Sequence, residues 1–550
     1  MRFGGKVLTI VLFVVCWATP SVAFDFTMHG YYRTRFIPLY NIDLQGNNTN
    51  IANSNNSNSL MYFTQQRLRI EPTAKFNDYL QISSQIDFLD NILYGTNTPV
   101  RQQILDPVIG TITAPATAGA VSIVGGPAGE GGSINVRRIW MDIMTPIGKL
   151  RIGRQPSHWG LGIFQNDGNI RQGDFGDTFD RVLYLAQMPV GPKGALTLGG
   201  LWDIPFEAQT DPLTTNLSTS TVANGQNMGQ YAFVGYYEQP EFTIGTFSGI
   251  RRRSGGNGTT TTARDINGTL QAAGIDGPTL MYFLDAYARV NLKHHRFQFE
   301  YIYLGGHVST GIAIDAIPFT GLAAPGIIQL PANQSIGVNM AAAEAKGFYD
   351  FGGEWEARGG FAQGDSSPLS NKITQYGFRH DYQLGLMMFY YPLGTSPSLY
   401  SSATGAKLAG GQAITGNNIN NAIFATVKYM QEINVKNAIP QANYLKVGIK
   451  GITAWADKPP VSLNFAQILN NANMPVIESR GKWYGVETDL IAEAQFFDHL
   501  WTSFEAAILF PGSAYNINVN VTDPGGIINP IPYDRAEMSY AGRLTLSLEF

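Results

Sequence analysis

Twelve consecutive residues, Asp25 to Phe36, alternate without a break between two kinds of side chain. Asp25, Thr27, His29, Tyr31, Arg33 and Arg35 fall on one side; Phe26, Met28, Gly30, Tyr32, Thr34 and Phe36 fall on the other. Successive side chains of a β-strand point to opposite faces, so such a stretch has one charged face and one apolar face. The pattern recurs. Arg67, Arg69 and Glu71 alternate with Leu68 and Ile70, and Gln81, Ser83, Gln85 and Asp87 with Ile82, Ile86 and Phe88. Asp285, Tyr287 and Arg289 oppose Leu284, Ala286 and Ala288, while Arg296, Gln298 and Glu300 oppose Phe297, Phe299 and Tyr301. A dry sandwich core does not accept charges at this frequency. A water-filled lumen does, with the apolar face turned to lipid. The expected fold is all-β: a transmembrane, antiparallel, up-and-down β-barrel of about 18 strands, within 16–20.

The rest of the chain agrees with that reading. Arg2 and Lys6 precede the apolar run Val7 to Trp17, and Ser21-Val22-Ala23 supplies a small-x-small cleavage pattern. Residues 1–23 therefore read as a signal peptide and 24–550 as the barrel. The one cysteine, Cys16, lies in the excised segment, which excludes a disulfide scaffold. Charged residues make up only 14% of the chain, against about 25% in soluble proteins. No basic face suggests nucleic acid, and beyond the signal no apolar run is long enough for a membrane helix. Short turns are expected at Ala74 to Asp78, Pro146 to Gly148, Gly191 to Gly194, Gln239-Pro240, His294-His295, Tyr349 to Gly352 and Phe497 to His499. Long loops rich in Gly, Asn, Ser and Thr alternate with them, notably 91–133 and 366–421, long enough to fold inward and narrow a pore and equally suited to lie disordered outside the cell. Thirteen strands fall before Ser366 and five after Ala422, with Tyr382 to Tyr391 left as a strand-like stretch inside a loop. Tyr540, Gly542, Leu544, Leu546, Leu548 and Phe550 share the lipid face of the closing strand. A strand ending on Phe550 resembles the signal read by the barrel-assembly machinery of the Gram-negative outer membrane. Outer-membrane lipid and lipopolysaccharide are the other expected partners.

Gly153-Arg154-Gln155-Pro156 followed by Trp159-Gly160-Leu161-Gly162 is similar to the strand-to-loop passage of porin-like and alginate-export-type outer-membrane channels. Gly30-Tyr31-Tyr32-Arg33, Tyr484-Gly485-Val486-Glu487-Thr488-Asp489 and Pro511-Gly512 share that resemblance. It implies an 18-stranded channel with an arginine-bearing lumen and leaves the substrate open.

The lumen-facing candidates are Arg33, Arg35, Arg67, Arg69, Glu71, Asp87, Arg138, Arg151, Asp285, Arg289, Arg296, Glu300, Lys446, Lys450, Glu487, Asp489, Glu493 and Arg543. Arginines on the first strands and acids on a strand near the end would set up a transverse field across the pore, which orients charged solutes. The plainer role is to keep the interior wet and the strands in register. Asp167, Asp174, Asp177 and Asp180 share one expected outer loop and are weak oxygen ligands for calcium; a solvated acidic loop is the ordinary explanation, and no cofactor is expected. Seven histidines leave a barrel enzyme conceivable, yet neither Gly-x-Ser-x-Gly nor His-Glu-x-x-His occurs. A receptor barrel with a separate N-terminal plug domain is not expected, because the first strand begins at Phe24, directly after the cleavage site. The expected function is passive passage of small hydrophilic or charged solutes; polysaccharide export and a structural or adhesive barrel are the alternatives.

Overall fold

The computed structural model describes residues 24–42, 44, 60–93, 134–206, 228–253, 260–264, 270–275, 279–308, 313–314, 328–329, 334–366, 371–391, 393, 419–435, 437–464, 476–479, 481–516, 520–522, 528–530 and 536–550. The signal segment 1–23 and the long loop 94–133 lie outside them. Eighteen strands form the barrel wall: β1 Asp25–Tyr40, β2 Met61–Asn77, β3 Leu80–Leu93, β4 Ile134–Thr145, β5 Gly148–Pro156, β6 Thr178–Val190, β7 Gly194–Phe206, β8 Met228–Glu238 and β9 Phe242–Arg253. The second half comprises β10 Thr279–Asn291, β11 His295–Val308, β12 Gln334–Phe348, β13 Gly353–Ala362, β14 Ala422–Ile433, β15 Ala442–Trp455, β16 Trp483–Phe496, β17 Leu500–Pro511 and β18 Ser539–Glu549. Each pairs antiparallel with its sequence neighbours, and β18 returns to β1 with Arg33 opposite Ser547 and Arg35 opposite Thr545. Closure leaves no free edge, the condition for a sheet in lipid.

Seven short turns fall at or within about two residues of their expected places. An eighth, residues 434–441 between β14 and β15, carries no Gly and was not among those expected. The stretch Tyr382 to Tyr391 is not a strand.

The two faces of the strands separate as the alternation requires. Phe26, Met28, Phe36, Leu284, Phe297, Phe299, Leu544, Leu546 and Leu548 are exposed on the outer surface. Arg33, Arg35, Arg67, Asp87, Asp285 and Glu300 point inward and are buried. One irregularity matters. At Gln85/Ile86 the ladder jumps from Arg138 to Val136, a β-bulge that leaves Arg137 as the extra residue. The bulge breaks the alternation, and Arg137 turns inward beside Arg138, its guanidinium 3.3 Å from Asp87.

The seam is sealed at Phe550. Its N–H and C=O exchange hydrogen bonds with Gly30 at 3.0 and 2.9 Å. A Cβ on Gly30 would run into the Arg69 carbonyl and come within 2.8 Å of the Phe550 ring. The ring thus covers a position that has to be glycine, an arrangement in which an aromatic shields a strand glycine.

Phe299→Arg, which puts a charge on the outer face, should cost on the order of 2–4 kcal/mol near the bilayer midplane. Gln298→Arg, one residue away and inward, should fold close to normally. Denaturation of the refolded proteins in lipid gives the ranking; the reverse order would mean that the two faces are exchanged.

Candidate functional site

The lumen holds two segments of the chain, each folded back between strands. The first, residues 157–177, joins β5 to β6; the second is the described part of the β13–β14 connection, residues 371–391. Together they form an internal plug. The second belongs to 366–421, a long loop for which the sequence left an inward and an outer course equally open. The first was expected to lie outside the barrel, and its inward course is a correction: residues 162–166 and 173–174 are buried against the wall.

Arginines hold the plug from one side. Arg33 and Arg35 each place a guanidinium nitrogen 2.7 Å from the same Asp174 oxygen, and Arg35 reaches the other oxygen at 3.0 Å. Arg67 donates to the Gly173 carbonyl at 3.0 Å and lies 3.6 Å from the Asp174 carboxylate. Arg33 and Arg67 are directly opposite one another on β1 and β2, a juxtaposition that costs free energy unless an anion intervenes. Asp174 is that anion. Burial pushes its carboxyl up, but Arg35, Arg33 and Arg67 more than offset this and hold it well below the usual carboxylate range. Beside this trio, Arg69 grips Asp87 with two bonds of 2.7 and 2.8 Å. Arg138 reaches the Asp167 carbonyl and the Asn169 side chain on the plug.

Carboxylates hold the plug from the other sides. Glu487 on β16 accepts the backbone N–H groups of Leu386, Met387 and Met388, the first two at 2.7 and 2.8 Å. Glu300 accepts the N–H of Leu161, and Asp285 accepts the Trp159 indole at 3.1 Å. Gly160, with φ of +58°, sits over Glu300 so closely that a Cβ would meet its carboxylate at 2.5 Å. That contact explains the glycine between Trp159 and Leu161. Asp381 ties the two segments together by accepting the N–H groups of Asp174 and Gly176 at 2.8 and 2.7 Å. Arg379 adds an ion pair to Asp177 at 2.9 Å.

Apolar packing completes the seat. Ile163, Phe164, Phe378, Leu384, Leu386 and Met387 are buried against Phe247, Phe283, Ile302, Leu304, Phe424 and Tyr484 of the wall. Phe164 meets Phe283 at 5.3 Å, and Phe378 meets Phe424 at 5.9 Å. Beneath the plug the inner face is thus a mosaic of apolar residues and of charged residues that bond the plug directly.

The remaining lumen candidates lie in other pairings. Arg151 forks Asp142, Arg543 forks Glu505 with two bonds of 2.9 Å, and Lys450 faces Asp489 at 2.8 Å. Lys446 bonds Glu354, and Glu71 accepts from Gln85. Arg289 donates to Thr243 at 2.8 Å, and Arg296 donates to Asn291 at 3.0 Å near its turn. Glu493 is half-buried with no ion pair among the described residues. The four aspartates named as calcium ligands do not converge. Asp174 is enclosed by arginines, Asp177 pairs with Arg379, and Asp167 faces His158 at 3.5 Å. Asp180 points outward to an exposed ion pair with Arg154 at 2.8 Å. Among the described residues no group of three His, Cys, Asp or Glu side chains could hold a metal.

Sequence reasoning missed Arg137, Asp381 and Arg379. The bulge hid the first. The other two lie in a loop, where no periodicity marks direction; the only signal was a dense aromatic and methionine run beside them.

No protein-family model matches the chain, and no curated protein matches it. Solved structures do. Pseudomonas aeruginosa OccK9 (OpdG) is 10% identical, with 96% of this chain and 99% of that chain covered at a TM-score of 0.41. An anion-selective porin from Comamonas acidovorans is 8% identical, with 96% and 100% covered at 0.35. OmpT, an outer membrane protein of Vibrio cholerae, is 9% identical in its trimer form, with 96% and 100% covered at 0.34.

Asp174→Asn should leave three buried arginines without their anion, at a cost on the order of 3–5 kcal/mol. Because its folded pKa is depressed, the wild-type contribution is in full force above the ordinary carboxylate value and is lost only as pH falls below it. Limited proteolysis in neutral detergent should cut 157–177 in the variant and not in the parent. Wild-type protein should resist cleavage down to about pH 4, the ordinary carboxylate range.

Proposed function

We propose that this barrel is a passive channel of the Gram-negative outer membrane for small hydrophilic or charged solutes, with the plug as its constriction. The observation that carries the reading is the Asp174 anchor: a closed barrel with charged residues inside uses several of them to hold its own chain across the bore. A purely structural barrel needs no such internal cross-piece. Positively charged β1, β2 and β4 stand only a few strands, by way of β17 and β18, from β13 to β16, where Glu354, Glu356, Glu487, Asp489 and Glu493 lie among lysines. Basic and acidic sectors of one wall bias the occupancy of one sign of ion over the other. Lipopolysaccharide and the barrel-assembly machinery, the latter through the strand that ends in Phe550, are its partners in this reading. Polysaccharide export rests on the sequence resemblance, whose Gly153 to Gly162 segment leads directly into the plug.

Refolded protein in a planar bilayer should give discrete conductance steps in KCl. Asp381→Asn, which loosens the joint between the two plug segments, should raise the step size. Silence from both proteins would remove the channel reading. Arg33→Ala, Arg35→Ala, Arg67→Ala and Arg69→Ala together should move reversal potentials towards cation preference. Removing Glu487, Asp489 and Glu493 should move them towards anions. Both shifts should shrink at high salt, since the Debye length falls from about 10 Å at 0.1 M to about 3 Å at 1 M. An arginine variant that keeps its wild-type preference at low salt would confine these residues to holding the plug.

A further inference from the structure

On the short-turn side of the plug, the inner wall is divided into two unlike halves. Leu183 and Leu185 of β6, Tyr236 of β8 and Tyr287 of β10 point inward and are only half-buried. Trp159 of the plug joins them, its ring 6.3 Å from Tyr236 and 6.4 Å from Tyr287, over the buried Phe247 at 6.0 Å. The plug covers the apolar wall above this level and leaves these four wall residues and its own Trp159 at the edge of the apolar cluster, only partly buried. A lumen that carried only hydrated ions would gain nothing from aromatic and leucine side chains left partly open to water.

The facing half, β12 to β16, is charged over the same stretch of strand. Its groups mostly pair with one another: Lys346 with Glu344 and Glu356, Arg358 with Glu344 and Glu356, Lys446 with Glu354. Lys428 and Glu493 stand apart. Both are half-buried and inward-facing, and neither has an ion-pair partner within 4.0 Å among the described residues. Lys428 lies between Glu356 and Lys450 on its neighbouring strands and Glu493 opposite Lys446, but Glu356 is shared by Lys346 and Arg358, Lys446 is taken by Glu354 and Lys450 by Asp489. One cation and one anion are thus left without a close partner to meet a solute in the same vestibule as the apolar surface.

We infer that this vestibule is a binding site for small amphipathic organic ions, with the apolar body on the Trp159–Tyr236–Tyr287–Leu183–Leu185 surface and the charged head at Lys428 or Glu493. The inference deepens the channel reading by naming the solute class. It needs only that the vestibule be reachable from the short-turn side. Small apolar bodies lose water contact on the leucine and aromatic surface, while a partly desolvated head finds an unpaired charge of opposite sign.

Binding is read by intrinsic tryptophan fluorescence of the detergent-solubilised protein, which does not depend on conduction. Cyclohexanecarboxylate and cyclohexylammonium are the probes; acetate and ethylammonium carry the same heads without the body. Saturable changes are expected with the cyclohexyl ions and not with their small counterparts. Leu183→Asn with Leu185→Asn, on the wall and away from the plug's own anchors, should weaken both probes about tenfold. Lys428→Gln should weaken the carboxylate alone, and Glu493→Gln the ammonium alone. If cyclohexyl and small ions are indistinguishable, or if the leucine variant binds like the parent, the inference is overturned. KCl conductance is scored separately: a conducting protein with no cyclohexyl site loses this inference only, and a silent protein with a saturable site loses the channel reading only.

Discussion

A single carboxylate organises the inside of this barrel. Asp174 lies where Arg33, Arg35 and Arg67 would otherwise repel one another, and its backbone N–H is held by Asp381 of the second inward segment. Remove it, and three guanidinium groups at about 0–1% exposure lose their anion, a state that costs far more than the pairing itself contributes. The first two strands, the first plug segment and the second plug segment are therefore tied at one point. The carboxylates Glu300, Asp285 and Glu487 repeat the device with the opposite polarity, taking N–H groups of the plug where the arginines take its oxygens.

This division of labour explains why the interior is a patchwork. A strand residue that faces water in an open pore is polar, but one that faces a plug must match it. Phe247, Phe283 and Leu304 are inward and apolar because Ile163 and Phe164 lie against them. Gln230, Arg251 and the Arg181–Asp203 fork stay polar on the neighbouring rows.

The wall was legible in the sequence because strand periodicity converts position into direction. Arg33 and Phe299 announced their faces through their neighbours, and the division into thirteen strands before Ser366 and five after Ala422 matches the barrel. Periodicity fails where the backbone is irregular. The bulge at Arg137 put two successive arginines on one face, against the rule that assigned them to opposite faces. Inside 157–177 and 371–391 there is no period at all, so Asp174 could be read as a solvated loop residue although it is buried among three arginines. Composition carried a faint trace: Trp159, Leu161, Ile163 and Phe164 are a poor match for a loop in water.

The seating of the plug also constrains the order in which the molecule can be made. Asp174 takes its arginines from β1 and β2, whereas Gln172 reaches Ser503 and Thr545, and Arg171 reaches Glu549, on β17 and β18. A segment four residues long, Arg171 to Asp174, thus bridges the two ends of the chain through contacts of high sequence separation. Such contacts form late, because the loop entropy they require is large. While the seam between β1 and β18 is open, the residues that receive the plug are not yet side by side. Sealing the sheet at Gly30 and Phe550 and filling its bore are therefore one event, and a half-assembled barrel of this sequence carries its arginines uncovered.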